Sequence, residues 1–514
     1  MYRAEVSVWY GLGLASLIAC GDDTTRPTDD PTDSDAPPTT GEPPSDTDDP
    51  TDPPTGTDTT TDLPPEGPPP PTSLGTAPHR IDGIQSSGQV GQVVATFPDI
   101  DGDGDEEILF SVPNLDNDAG AALSVGAVQL VPGGAIGVAE TPDVVVSTIF
   151  GENSDDHLGQ AIVDGDVDGN GSPDLIIGAT RFGTAFSGDV GAVYVSYSPL
   201  PVGESLVTSA GHRLYGLLVE DETGAAISVG DMDGDATLEV ALGAPGIDID
   251  DYVTEVGTVF IFDEGMPSVG LVDSAPGSIV GVQSDQLGKA LAAPGDTNGD
   301  GVGDLWIGAR DRGFSLEGEA LLFYGPLTSG TRDSTTADVI ITGLITADAT
   351  GSAVVSAGDM TDDGLGDVWV SAPGALGANG EVFLVPGGSV SGLRDTSPIR
   401  LRGAALSSAG SSIAGDADLD GDGGGDVVVG GITEGSAGLL GGAVWIVLAP
   451  EDGTSDLDDV AWKWFGESEF DQAGTSVAIG EVTGDGAMDV LVGAIGRDRG
   501  LSDVGAVYVV PGSW

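Results

Sequence analysis

The sequence predicts an all-β chain closed into a seven-bladed β-propeller of four-stranded antiparallel blades. Three observations predict it. An acidic loop of the form D-x-D-x-D-G-x-x-D recurs seven times, beginning at Asp99, Asp166, Asp231, Asp296, Asp359, Asp418 and Glu481, at intervals of 59 to 67 residues. A nearly fixed period over so many copies marks a repeat architecture. Each copy carries four short strand-like apolar runs, the make-up of a propeller blade. The two ends of the body are complementary: the last copy stops after its third strand, and an unmatched fourth-strand signature, His79-Arg80-Ile81-Asp82-Gly83, precedes the first loop. A parallel β-helix, the rival repeat fold, has coils much shorter than this period.

The chain begins with a segment of another kind. Residues 1–19 carry Arg3, a short apolar stretch and then Leu17-Ile18-Ala19 before Cys20. This reads as a secretory signal peptide, too short and broken for a spanning helix. Its ending resembles the lipobox of bacterial lipoproteins. That resemblance implies lipidation of Cys20 and attachment to a membrane, at the outer membrane or cell surface. A plain signal peptide is the alternative. Cys20 is the single cysteine, so no intrachain disulfide staples the fold.

Residues 20–77 are dominated by Pro, Thr, Asp, Ser and Gly, with Arg26 the sole basic residue. Such a composition cannot bury enough apolar surface to offset its ordering entropy, and proline stiffness with like-charge repulsion extends it. A disordered stalk is expected there, with the propeller from residue 78 to 514.

Composition bounds the partners. Hydrophobic residues make up 39%, enough for a sizeable core, and the 84 glycines are about double the usual share of roughly 7%. Lys and Arg total 15 against 84 Asp and Glu, for a net charge of −69. A polyanion of this kind repels nucleic acid and anionic lipid headgroups.

The second copy shows the order of elements. Leu158 to Val163 reads as a first strand, and Asp166 to Asp174 is the loop. Leu175-Ile176-Ile177-Gly178-Ala179 is a buried second strand, Gly191 to Val195 a third, and Leu214-Tyr215-Gly216 a short fourth. The third strand recurs behind Gly126, Gly257, Gly318, Gly380, Gly442 and Gly505. The signature at His79 matches His212-Arg213-Leu214-Tyr215-Gly216, so the N-terminal strand is expected to complete the seventh blade and remove two open sheet edges.

Carboxylates at positions 1, 3 and 5 of a tight loop converge on one point. The carbonyl at 7 and an acid at 9 close the shell, and Gly at 6 permits the turn. Hard oxygen donors in this pattern point to Ca²⁺, up to seven ions in a structural role. The first loop offers Asp99, Asp101, Asp103, the Asp105 carbonyl and Glu107. The second offers Asp166, Asp168, Asn170, Ser172 and Asp174. The third offers Asp231, Asp233, Asp235, Thr237 and Glu239, with Ala236 in the glycine place. The fourth offers Asp296, Asn298, Asp300, Val302 and Asp304. The fifth offers Asp359, Thr361, Asp363, Leu365 and Asp367, and the sixth Asp418, Asp420, Asp422, Gly424 and Asp426. The seventh offers Glu481, Thr483, Asp485, Ala487 and Asp489. An EF-hand needs Glu at position 12, where this chain has Phe110, Ile177, Leu242, Ile307, Val370, Val429 and Val492. Turn formation alone is the bland reading of these acids.

The unit resembles the FG-GAP repeat of integrin α-subunit propellers. Leu158-Gly159 and Leu287-Gly288 stand near the FG position, and Gly243-Ala244-Pro245 is the GAP. Ser371-Ala372-Pro373 and Gly493-Ala494-Ile495 are looser versions. Phe is missing from the FG slots, and the first copy has Ser111-Val112-Pro113 for GAP. The resemblance implies a surface-anchored calcium-binding module for protein partners in binding or adhesion. A carbohydrate-binding lectin propeller is the alternative, and a polysaccharide-degrading enzyme or a phospholipase relative a third reading. No catalytic residues are expected. His79, His157 and His212 show no zinc spacing and no nucleophile partner, and read as rim packing. Trp306 and Trp369, at equivalent second-strand slots, read as packing between blades.

Overall fold

The computed structural model describes residues 69 to 512, except 101, 117–123, 135, 185–187, 249–253, 264–265, 283 and 314–315. The expected signal peptide, Cys20 and residues 20–68 of the expected stalk lie outside the described residues. Seven sheets of the same construction follow one another along the chain. The first blade contains Val94–Phe97, Glu107–Val112, Ala127–Val131 and Ser147–Phe150; the second Ala161–Gly165, Asp174–Ala179, Ala192–Ser196 and His212–Tyr215. The third contains Ile227–Gly230, Glu239–Ala244, Thr258–Phe262 and Gly277–Val280; the fourth Ala290–Gly295, Asp304–Ala309, Glu319–Phe323 and Val339–Thr342. The fifth contains Val354–Gly358, Asp367–Ala372, Glu381–Val385 and Ile399–Arg402; the sixth Ser412–Ala417, Asp426–Gly431, Ala443–Val447 and Trp462–Phe465. The seventh combines Ala473–Gly480, Asp489–Ala494 and Ala506–Val510 with the N-terminal His79–Asp82.

Ring closure follows the expected route. His79, Arg80, Ile81 and Asp82 pair antiparallel with Val509, Tyr508, Val507 and Ala506. The second strands are buried at every position, as continuous apolar runs flanked by two sheet neighbours must be. Phe110, Ile177, Leu242, Ile307, Val370, Val429 and Val492, the position-12 residues, are all fully buried there. Trp306 packs in a cluster that includes Val354 and Val368 of the next blade, and Trp369 in one that includes Val427 and Val429.

Three features differ from the sequence reading. Each blade gains a fifth, outer strand that runs parallel to its fourth. In six blades it is supplied by the connection between the third and fourth strands of the following blade, as with Gly203–Leu206 on the first blade and Gly330–Asp333 on the third. These strands are two to four residues long and largely exposed, so period-two alternation does not reveal them. The turn after each drives one side chain inward, including Leu74, Val207, Val272 and Leu457, all at most 1% exposed. Second, Thr72–Ser73 is the outer strand of the sixth blade, paired with Trp464 and Phe465. The folded body therefore reaches back to residue 72, ahead of the boundary drawn at 78. Third, Leu158 lies outside the first strand of its blade: it bridges to Gly126 of the preceding blade.

That last contact recurs seven times, from Val90↔Gly505 to Gly442↔Ala473, and stitches each blade to the next. The glycine is obligatory. At Gly505, φ is +76° and an added Cβ would stand 2.4 Å from the Val90 nitrogen.

Candidate metal centre

The acidic loops join first to second strands, so they share one face of the ring. Position 1 organises each loop. Asp166 accepts hydrogen bonds from the amides of Asn170 (2.9 Å) and Gly171 (2.7 Å), and Asp296 from those of Gly299 and Gly301 (both 2.7 Å). Asp99, Asp231, Asp359 and Asp418 do the same. Glu481, one carbon longer, accepts from Gly486. The sixth position is left-handed throughout, and Ala236 adopts φ +73° where the other loops place glycine.

Position 9 is the first residue of the second strand, which fixes it in the core. Glu107, Asp174, Glu239, Asp304, Asp367, Asp426 and Asp489 are all at most 1% exposed. Each accepts an amide from the second or third loop residue: Met232 to Glu239 at 2.6 Å, Thr297 to Asp304 at 2.9 Å and Leu419 to Asp426 at 2.6 Å. Glu107 receives Ile100, Asp174 receives Val167, Asp367 receives Thr361, and Asp489 receives Val482 and Thr483. Burial pushes the carboxyls of Asp174, Glu239, Asp304, Asp367, Asp426 and Asp489 above the usual range, Glu239 to about 7 and Asp426 to about 6. The neighbouring acids of each loop push in the same direction. A cation among them reverses that cost.

The geometry gathers some expected ligands and not others. In the second, third and sixth loops, positions 1, 3 and 9 bring one carboxylate oxygen each to within 4.8 Å of one another: Asp166, Asp168 and Asp174; Asp231, Asp233 and Glu239; Asp418, Asp420 and Asp426. Position 5 stands outside these groups. Asp103, Asn170, Asp235, Asp300, Asp363, Asp422 and Asp485 each accept the amide of position 7 on one side-chain oxygen, a local turn bond. Position 7 residues Asp105, Ser172, Thr237, Val302, Leu365, Gly424 and Ala487 are thus tied by their amides. In the fourth and seventh loops the neutral third residue turns to position 9: the Asn298 amide lies 3.4 Å from Asp304, and the Thr483 hydroxyl 3.3 Å from Asp489. Asp101 lies outside the described residues.

Two observations fit the triads to a hard cation. The donors are oxygens only. In the third loop, Asp233 Oδ1 is buried without a hydrogen-bond partner, although Oδ2 accepts from Thr328 at 3.1 Å. A buried unpaired carboxylate oxygen is costly unless a cation satisfies it.

Sequence reasoning missed a second set of buried acids. Asp156, Asp221, Asp348 and Asp471 lie on the opposite face, each holding two amides of the link from the previous blade, as Asp221 holds Leu217 and Leu218. Asp285 holds the Val282 amide. A recurring Gly-x₃₋₄-Asp-x-x-Gly spacing is the signal that marks them. The histidines sit at the rim: His79 Nδ1 accepts from Gly137, and His212 Nδ1 lies 2.9 Å from the Pro267 carbonyl.

Fold and loops together define a seven-bladed β-propeller with acidic loops that join the first two strands of its blades. No family model matches the chain. It is similar to integrin alpha-PS2 of Drosophila melanogaster, 30% identical over 177 residues, which covers 34% of this chain and 12% of that protein. It is similar to integrin alpha-E of Mus musculus, 32% identical over 178 residues, 33% of this chain and 15% of that protein. It is also similar to phosphatidylinositol-glycan-specific phospholipase D of Homo sapiens, 30% identical over 181 residues, 34% of this chain and 21% of that protein. The chain thus spans about an eighth to a fifth of these relatives. The similarity is distant and partial, and about a third of the chain resembles stretches of these proteins.

Proposed function

We propose that the chain is a calcium-stapled binding propeller that displays a docking surface to a protein partner from a lipid-anchored position outside the cell. The three triads of clustered carboxylates, with the unpaired Asp233 oxygen among them, are the observation that carries the calcium reading. Asp166, Asp168 and Asp174, Asp231, Asp233 and Glu239, and Asp418, Asp420 and Asp426 would hold the ions, with the remaining loops as weaker sites. The ion supplies counter-charge to buried acids and ties the first strand of a blade to its second. Its role is structural, and the chain acts without catalysis.

Similarity to the named integrins supports a protein partner. Exposed apolar residues support the same reading: Leu218, Val219, Leu316, Ile345, Leu406 and Phe470 lie on connections at the face opposite the acidic loops. Exposed apolar side chains on neighbouring connections suit a protein interface, although others, such as Val202 and Val390, stand on the connections between third and fourth strands. A pull-down from outer-surface extracts with and without Ca²⁺ tests this. A protein captured by the native chain and lost with Leu218→Glu or Phe470→Glu supports it; capture of glycan alone on a glycan array favours the lectin reading. The anchor is tested by Cys20→Ser, which should release the protein from membranes. Sedimentation of that variant with membranes after a high-salt wash overturns the lipoprotein reading. Among the described residues, no helix is long and apolar enough to cross a membrane.

A further inference from the structure

The acidic loops are wired to one another. Met232 of the third loop gives its amide to Glu239 (2.6 Å), and its carbonyl accepts the Leu327 amide of the fourth blade (3.0 Å). In the same turn, the Gly325 amide donates to Asp304 Oδ1 (2.9 Å). Asp304 Oδ2 accepts the Thr297 amide (2.9 Å), and the Thr297 carbonyl accepts the Gly388 amide of the fifth blade (2.7 Å). The Gly387 amide reaches Asp367 Oδ1 (2.7 Å), whose other oxygen holds Thr361 (2.9 Å). The path from Glu239 through Asp304 to Asp367 is unbroken.

A second bond doubles each step. Gly303 donates to the Asp231 carbonyl at 3.0 Å, and Gly366 to the Asp296 carbonyl at 2.9 Å. Across the ring seam the same pair recurs, from Glu106 to Glu481 (2.8 Å) and from Gly134 to Val482 (2.9 Å). Between the first and second loops the residue equivalent to Gly303 is Pro173, which has no N–H to give.

We propose that the third, fourth and fifth loops take up their cations as one cooperative unit, and the seventh and first as another, while the second loop fills independently of the first. The proposal rests on the calcium reading. The acids that would bind the ion are the same groups that hold each end of the inter-loop bonds. A cation that fixes Asp304 fixes the turn at Gly325–Leu327 and the amide of Thr297. These position the second residue of the preceding loop and the turn of the following blade. Hydrogen bonds in a chain strengthen one another, so ordering one loop favours the next. Thr328, bonded to Asp233 across the same junction, adds a side-chain link.

Hydrogen exchange read by mass spectrometry follows each loop separately in the full chain, stripped with chelator and titrated with Ca²⁺ alone. The third, fourth and fifth loops should gain protection over one concentration range, more steeply than a single site allows. Asp304→Asn should shift the third and fifth loops to higher Ca²⁺ by roughly 5- to 150-fold, the usual span of coupled sites. Gly303→Pro copies the junction at Pro173 with the ligands of the fourth loop intact; because it also crowds the Asp231 carbonyl of the third loop, its effect is read at the fourth and fifth loops, which should shift the same way. Asp168→Asn should move the second loop alone. If Asp304→Asn does not fold, Gly303→Pro and Thr328→Val decide. Single-site slopes, with every variant confined to its own loop, overturn the coupling and leave the calcium reading standing. No uptake by any loop of the native chain overturns both.

Discussion

Replacing Arg497 with Met should loosen the ring at its seam. The N-terminal strand brings Arg80 and Asp82 against Glu467, Arg497 and Tyr508. Arg497 reaches Asp82 at 3.0 Å, Glu467 at 3.1 Å and the Tyr508 hydroxyl at 2.8 Å. Asp82 is 1% exposed, and these cations are its counter-charges. Removing one partner of a buried pair costs about 3–5 kcal/mol. Here Asp82 keeps Arg80 at 2.9 Å, and Glu467 keeps Arg80 at 2.9 Å and Tyr508 at 2.6 Å. The loss should therefore fall below that range, at about 2–3 kcal/mol, against a typical total of roughly 5–15 kcal/mol. Burial pushes the Glu467 carboxyl up, but the Tyr508 hydroxyl and the Arg497 and Arg80 guanidinium groups outweigh it and hold it below the usual range. Stability from a depressed acid is present above its unfolded value of 4.5 and is lost as pH falls through the folded value. The gap between native chain and variant should thus narrow in acid. Urea midpoints at fixed Ca²⁺, at pH 7 and pH 3, measure it. A double-mutant cycle with Asp82→Asn should show coupling of about 1–3 kcal/mol. A midpoint within error of the native chain, or zero coupling, would refute the ionic seam. The equivalent residue in the second blade is Phe182, so bulk at this position is tolerated by the fold.

Chelation should lower the melting temperature sharply, since each ion adds about 2.7 kcal/mol at 100-fold excess over its dissociation constant, and Mg²⁺ should restore it poorly; an unchanged calorimetric transition removes the calcium reading. Ala236→Gly should stabilise by about 0.5–1 kcal/mol, because it relieves a left-handed alanine at some entropic cost, whereas Gly505→Ala should destabilise through its contact with Val90; urea midpoints check both. Burial raises the Asp156 carboxyl from 3.8 to about 7, so the folded chain binds that proton more tightly than the unfolded one and stability falls as pH rises between those values. Asp156→Asn should flatten that slope in denaturation curves across the window, and an unaltered slope counts against the assignment.

The repeat, the buried second strands and the N-terminal closing strand were legible in the chain because each depends on local pattern. A run such as Leu175 to Ala179 has few other destinations, and His79–Gly83 could be matched to His212–Gly216 by eye. The acids of positions 1 and 9 were legible for the same reason. The sequence did not show that Asp235 and Asp422 would stand outside the grouped carboxylates of their loops, each accepting the amide of position 7. The outer strands were also hidden. Gly203–Leu206 and Thr72–Ser73 have no apolar face of their own, and only the edge of another blade makes them strands.

By itself the sequence determined a period, a strand order and a set of oxygen donors, all of which act within one blade. Tertiary structure decided what passes between blades: the Val90–Gly505 class of contacts, the ion cluster at Arg497, and the bonds that join Glu239 to Asp304 and Asp367. Those pairings bring together groups tens to hundreds of residues apart, and their geometry exists only once the ring has closed.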